Sequence, residues 1–294
     1  MFDHGASDLR DPPAAVNRNR ARERSVWDGM TKLTLNDGRS LPQLGLGTYQ
    51  IPDSQVAAVV RRGLDTGYQL VDTAAIYGNE RGVGDGLRGE AAFLTTKLWN
   101  DRHRDAVAAL DESLALLGVE AVDLYLIHWP VPAEDGYVEA WQSLIALREA
   151  GKARSIGVSN FLPEHLDRII EATGVVPAVN QIELHPRFQQ REARAYHEAK
   201  GIVTQSWSPL GQGGELLTTP EIVAIAEKHD RSTAQVVLAW HLAHGLSVIP
   251  KAADAAHMAD NFAATELTLD EDDMAAIDAL DDADGRIGPD PREM

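Results

Sequence analysis

The sequence predicts an α/β protein, a closed (β/α)8 barrel of the TIM type with an N-terminal β-hairpin and two extra helices. Two observations carry that prediction. Short strand-like runs alternate eight times with helix-like stretches over about 250 residues. Three successive runs also end in a titratable residue: Gln69-Leu70-Val71 in Asp72, Ala91 through Thr96 in Lys97, and Leu124-Tyr125-Leu126-Ile127 in His128. A ring of parallel strands with its chemistry at one rim has this pattern, because barrels expose reacting groups at strand C-termini. The competing architecture is an open doubly wound sheet, but its glycine fingerprint is missing. Gly82-Val83-Gly84-Asp85-Gly86-Leu87 lacks the sixth-position glycine and lies in a helix-like stretch, and Gly45-Leu46-Gly47 meets Gln50 where a third glycine belongs.

The elements follow in order. Lys32-Leu33-Thr34-Leu35 and Arg39-Ser40-Leu41 pair across Asn36-Asp37-Gly38, where Asp-Gly suits a tight hairpin turn. Strands are expected at 44–49, 69–73, 91–97, 123–129, 154–159, 178–184, 202–208 and 246–250. Helices are expected near 53–66, 79–88, 104–117, 137–150, 163–173, 190–200, 233–244 and 254–264. In the third helix apolar residues recur at three- and four-residue spacing from Ala106 to Leu117, and Gly118 stops it. Gly151 ends the fourth in the same way, and Pro163 suits the first turn of the fifth, where its missing N–H is not needed. Two helix-like pieces fall outside the repeat, Pro220 to His229 and Leu269 to Leu280, and a tail from Gly285 to Pro291 is placed to fold over the rim.

Residues 1–29 read differently. After Pro12-Pro13-Ala14-Ala15, Arg18, Arg20, Arg22 and Arg24 alternate with small or polar residues without apolar period. They are expected to be a disordered extension, or sequence upstream of a second start at Met30, with an arm touching a partner subunit as the alternative. Residues 30–294 are expected to form one barrel domain.

Composition excludes several functions. With 27 Lys+Arg against 45 Asp+Glu the net charge is −18, which repels nucleic acid and anionic membranes at long range. Screening over roughly 8–10 Å still lets a few local cations hold a phosphate. There is no cysteine, so thiolate chemistry and disulfides are absent. No apolar run reaches the about 18 residues of a membrane span, and the N-terminus lacks a secretory apolar core. A monomer in the cytoplasm is expected.

The rim residues suggest proton chemistry. Asp72, Lys97 and His128 end the second, third and fourth strands, and Tyr77 lies in the loop after the second. A phenol near pKa about 10 beside an ammonium near about 10.4 becomes the stronger proton donor, because the cation favours the phenolate. Asp72 would pair with Lys97 and keep it charged, and His128 would orient a substrate oxygen. Singly, each has a structural reading: a strand-end ion pair, a packed loop tyrosine, a core histidine. His241 and His244 have the spacing of a metal pair, but no third ligand is near in sequence and Val237-Leu238-Ala239-Trp240 favours packing. A metal-dependent barrel hydrolase is disfavoured because the rim shows one histidine and no ligand cluster, and no metal is expected.

Asp72-Thr73-Ala74-Ala75-Ile76-Tyr77-Gly78-Asn79-Glu80, Thr95-Thr96-Lys97-Leu98-Trp99 and Leu126-Ile127-His128-Trp129-Pro130 resemble the signatures of the aldo-keto reductases, in order and at similar spacing. Gly157-Val158-Ser159-Asn160-Phe161, Asn180-Gln181-Ile182-Glu183 and Ile249-Pro250-Lys251 extend the likeness across residues 31–291, most closely to the bacterial branch of 2,5-diketo-gluconate reductases. The resemblance implies NAD(P)H-dependent reduction of small aldehydes, ketones, keto-sugars or keto acids. Tyr77 would be the general acid, tuned by Lys97 and Asp72, and His128 would orient the carbonyl. It also implies NADP(H) bound without a Rossmann fold, by Thr48 and Tyr49, by Ser159, Asn160 and Gln181 at the carboxamide, and by Trp207 as the stacking ring in place of a tyrosine. Ser208, Leu210 and Gly211 would lie along the pyrophosphate, and Asp260 and Asn261 would meet the adenine. Tyr49, Trp99 and Trp129, with His128, would line the substrate pocket. Arg286 would either meet a substrate carboxylate or stay solvated.

One departure bears on the cofactor. The family's Lys-Ser pair with an arginine six residues after the lysine becomes Lys251, Ala252 and His257. Histidine lacks the five-donor guanidinium fork and is mostly neutral at pH 7, so a weakened NADPH preference with NAD(H) tolerated is expected. The same site catalyses alcohol or sugar oxidation in reverse. A regulatory protein sensing nicotinamide redox state on the same barrel is the non-enzymatic alternative.

Overall fold

A computed structural model describes residues 31–294; the expected extension at 1–29 and the second start at Met30 lie outside the described residues. β1 (Lys32–Thr34) and β2 (Ser40–Pro42) form the hairpin, with Leu33 opposite Leu41 and Gly38 at φ 83° in its turn. It closes the bottom of the barrel. Leu35 and Leu41 pack with Leu70, Phe93, Leu124, Leu126, Val179 and Ile249 in one apolar floor, and Ser155 donates to Asp37 Oδ2 at 2.6 Å.

Above the hairpin, eight strands run parallel in sequence order. They are β3 (Leu46–Gly47), β4 (Leu70–Asp72), β5 (Phe93–Leu98), β6 (Val122–Ile127), β7 (Ala153–Ser159), β8 (Val179–Glu183), β9 (Val203–Trp207) and β10 (Ser247–Val248). Parallel bridges from Leu44 to Val248 and from Gly47 to Lys251 join the last strand to the first and close the ring.

The outer helices are α1 (Asp53–Thr66), α2 (Glu80–Leu87), α3 (Ala106–Leu117), α4 (Tyr137–Glu149), α5 (Pro163–Thr173), α6 (Arg191–Lys200), α8 (Thr233–Ala243) and α9 (Ala255–Ala263). The two additions are α7 (Pro220–His229) and α10 (Glu271–Asp278), where the sequence placed them. α3 shows how the sequence sets a boundary. Its Ala109, Leu110, Leu114 and Leu117 are buried, and Gly118 ends it at φ 68°, donating to the Leu114 carbonyl. Ahead of it, residues Asn100–Asp105 wind as a 3-10 turn and not as the first turn of the helix, since Trp99 holds extended backbone that turns the chain off the rim. Among the described residues no helix is long and apolar enough to cross a membrane.

Strand alternation divides the core. In β6, Tyr125 and Ile127 face the helix layer with Leu110, Trp141 and Leu144, while Leu124 and Leu126 face inward onto the floor. Each strand therefore presents one residue set to the helices and another to the barrel axis.

Candidate active site

Followed upward from the floor, the inward sets change from apolar to reactive. Leu70 is followed two residues on by Asp72, and Phe93 by Thr95 and Lys97. Leu124 and Leu126 lead to His128, Val179 to Gln181 and Glu183, and Val203 to Gln205 and Trp207. Period two thus lifts five strands' polar residues to one rim.

There Lys97 Nζ lies 2.5 Å from Asp72 Oδ1 and donates to the Thr73 carbonyl at 2.9 Å. Lys97 is 0% exposed and Asp72 2%, so the pair has exchanged water for mutual contact. Tyr77 ends a 3-10 turn (Ala75–Tyr77), and its ring centroid is 5.2 Å from Lys97 Nζ. The Tyr77 and His128 rings are 5.9 Å apart, Tyr49 is 5.1 Å from Tyr77, and Trp99 is 5.1 Å from His128. Asn79 pins this corner: its amide donates to the Thr48 and Ile51 carbonyls at 3.0 and 2.9 Å, and Thr73 Oγ1 donates to its Oδ1 at 2.8 Å. The four expected catalytic side chains therefore converge on one side of the mouth.

Their protonation corrects one expectation. Burial, then the Asp72 charge, then Tyr49 hold the Tyr77 phenol well above its ordinary value, so it is not acidified by the cation. Burial is the largest cause, and the Asp72 carboxylate, which stands against Lys97, adds to it. Burial lowers Lys97 against the opposing pull of Asp72 and Glu80. Burial and Lys97 hold His128 well below the usual imidazole value, so it is neutral at pH 7. Its Nδ1 is buried and has no hydrogen-bond partner among the described residues.

The residues expected at the nicotinamide bond to one another. Ser159 Oγ donates to the Gln181 carbonyl at 2.7 Å, and Asn160, in the left-handed region at φ 63°, donates to the His128 carbonyl at 3.0 Å. The Trp207 indole N–H donates to Asn160 Oδ1 at 2.8 Å, which fixes the plane of the ring. Gln181 Nε2 reaches Asp72 Oδ2 at 2.9 Å and Gln205 Oε1 at 2.7 Å. Thr48 is fully buried, with its hydroxyl donating to the Asp72 carbonyl at 3.0 Å. Ser208 and Gly211 take positive φ in the loop after β9, which also carries Leu210.

At the far end Lys251 and His257 are exposed. His257 Nδ1 sits 2.5 Å from Asp254 Oδ2, and Asp254 also accepts the Ala256 and His257 amides at the start of α9. Asp260 accepts from Ser232 Oγ at 2.6 Å, and Asn261 is buried. A flat ring with a fixed plane, amide and hydroxyl groups beside it, and a distant cation fit an extended dinucleotide. Trp129 lies 6.5 Å from Trp207 across the mouth. Arg286 stacks over Phe188 at 4.7 Å. His241 turns its two ring nitrogens to the Val237 and Leu184 carbonyls, whereas His244 faces Asp278, so the two share no ligand position.

Sequence reasoning missed Gln205, Asn79 and Glu183. For Gln205 a signal was present: Thr204-Gln205-Ser206 is a polar run inside a buried parallel strand, where an apolar run is the ordinary content.

Comparison with known proteins points to one family. Residues 42–282 match the aldo/keto reductase family. Methylglyoxal reductase DkgA of Salmonella typhimurium is 46% identical over 270 residues, covering 90% of this chain and 98% of the relative. An aldo-keto reductase of Mycobacterium sp. (strain JLS) is 48% identical over 271 residues, covering 90% and 98%. The crystal structure of a Gox0644 mutant in complex with NADPH is 50% identical, covers 91% of this chain and 99% of that one, and superposes with a TM-score of 0.89.

Proposed function

The chain belongs to the aldo/keto reductase family, and from that premise we propose that it reduces small aldehydes and ketones to alcohols with NADPH. The observation that carries this reading is the convergence of Tyr77, Lys97, Asp72 and His128 beside the fixed indole of Trp207. When bound, the reduced nicotinamide supplies a hydride to the carbonyl carbon. The residues do the rest. Neutral His128 hydrogen-bonds the carbonyl oxygen and orients it, and Tyr77, protonated throughout the neutral range, transfers its proton as that oxygen becomes an alkoxide. Lys97 stands near the resulting phenolate, and Asp72 keeps it charged in a buried site. Tyr49, Trp99 and Trp129 give apolar walls with a polar edge, suited to small carbonyl compounds bearing hydroxyls.

The cofactor preference follows from the far end. Lys251 would supply one cation for a 2′-phosphate, but His257 is held by Asp254, whose carboxylate would repel a phosphate there. NADPH is favoured weakly and NADH is tolerated. A kcat/KM ratio for NADPH over NADH above about a thousandfold, ~4 kcal/mol, defeats this part. The main test is loss of nicotinamide absorbance on a carbonyl panel including methylglyoxal, with wild type and Tyr77→Phe. A drop of about 10²–10⁴ in kcat is expected for the variant, and comparable rates remove Tyr77 from its role.

A further inference from the structure

The reaction as proposed leaves one buried carboxylate at the rim unused. Glu183 ends the inward set of β8, one step above Gln181, and is 1% exposed. Its two oxygens accept from consecutive backbone amides of the C-terminal tail, Oε1 from Ile287 at 2.6 Å and Oε2 from Gly288 at 2.8 Å. His185 Nε2 lies 3.3 Å from Oε1. Hydrogen bonds to an ionised carboxylate are roughly twice as strong as neutral ones.

The same tail is docked at other points. The Asp282 amide donates to the Arg187 carbonyl at 3.2 Å. Gly285 lies so near that carbonyl that a Cβ would stand 1.8 Å from its oxygen. Arg286 stacks on Phe188. A Cβ on Gly288 would come 2.5 Å from Trp207 Cη2 and 2.8 Å from Glu183 Oε2, so the tail backbone lies directly against the indole edge.

Trp207 is thus held at both ends, its N–H by Asn160 and its benzene edge by Gly288. We propose that Glu183 is a positioning residue that latches residues 287–288 onto Trp207, making the tail a fixed wall of the carbonyl pocket and not an opening lid. This rests on the reductase reading of Trp207 as the nicotinamide-facing ring. Replacing the carboxylate by a carboxamide keeps one acceptor oxygen but sets an NH2 donor against the other tail amide, which lets the tail lift. Tyr77, Lys97, Asp72 and His128 make no contact with the tail through it, so substrate fit suffers more than chemistry.

The experiment uses the full chain as wild type, Glu183→Gln, Glu183→Asp and Gly288→Ala. Amide hydrogen exchange is followed over residues 285–290, and steady-state kinetics are measured with methylglyoxal and NADPH. Glu183→Gln is expected to speed exchange in that segment about tenfold or more and to raise KM for the carbonyl about fivefold, with kcat within about twofold. Glu183→Asp, which keeps the charge, should lie between it and wild type. Gly288→Ala leaves the carboxylate in place but sets a Cβ against both Trp207 and Glu183 Oε2, which displaces the tail and should reproduce the KM effect, so a Glu183 variant that fails to fold leaves the test intact. Unchanged exchange and KM in Glu183→Gln overturn the latch, as does a fall in kcat at constant KM. If wild type reduces no carbonyl, the reductase reading fails, while the exchange measurement still decides whether Glu183 holds the tail.

Discussion

Lys97→Met exposes the energetics of the reactive corner. The substitution keeps the stem but removes a charge that is 0% exposed and 2.5 Å from Asp72 Oδ1. Asp72 then keeps the Gln181 amide on Oδ2 and loses the ammonium on Oδ1. Breaking a buried pair from one side costs about 3–5 kcal/mol, because the remaining charge stays dry and uncompensated. Against a typical total of about 5–15 kcal/mol, that is a large fraction of the stability. Asp72→Asn should cost a comparable amount, and the double variant much less than the two singles combined, since it buries no lone charge. Urea unfolding of wild type, both singles and the double measures this. Single-variant losses below about 1 kcal/mol, or losses that simply add in the double, refute the claim that the pair is a dry, mutually dependent unit.

Three further outcomes are expected. His197 and His241 are held neutral by burial at about 4 against 6.5. The unfolded chain therefore binds protons first, and stability falls between pH 6.5 and 4 by about 3 kcal/mol per histidine; a His197→Asn variant with the same pH slope as wild type contradicts this. Because Tyr77 lies well above its ordinary value and His128 well below, kcat for reduction should be flat from about pH 6 to 9, and a break inside that window in a chemistry-limited assay counts against the assignment. His257→Arg should raise the NADPH over NADH ratio of kcat/KM by roughly tenfold or more through a charge-assisted fork to the 2′-phosphate, and an unchanged ratio would place that phosphate elsewhere.

Much of this molecule was legible because two patterns agree. The eightfold strand–helix alternation gave the barrel, and the titratable residue at the end of each of three runs gave the rim, as His128 does after Leu124-Tyr125-Leu126-Ile127. The expected helix boundaries hold where the signal is local and steric, as at Gly118 and Pro163. The polar cross-members were not legible. Gln181 meets Asp72 across 109 residues of sequence and Gln205 meets Ser247 across 42. Nothing in either strand says which neighbour will lie opposite until the ring closes. Glu183 was hidden for the same reason, since its partners are backbone amides, which leave no mark on the sequence.

The phenol's raised value, which first looks adverse to proton donation, fits the direction of the reaction. A Tyr77 already ionised at neutral pH would have no proton to give, and one acidified by a bare cation would hold a stable phenolate before the substrate arrived. With Asp72 neutralising Lys97 in the resting site, the corner carries little net charge and favours the protonated phenol. New negative charge appears only at the carbonyl oxygen as it is reduced, and from there it passes to Tyr77 beside the Lys97 ammonium. The cation therefore acts on the charge-developing state far more than on the ground state, which is the difference that accelerates a step and does not merely tighten binding. On this view Asp72 contributes by cancelling Lys97 until the charge arrives. Asp72→Asn should then lower kcat more than it weakens binding of the cofactor, because the lone buried lysine loses its proton and with it the stabilisation of the phenolate.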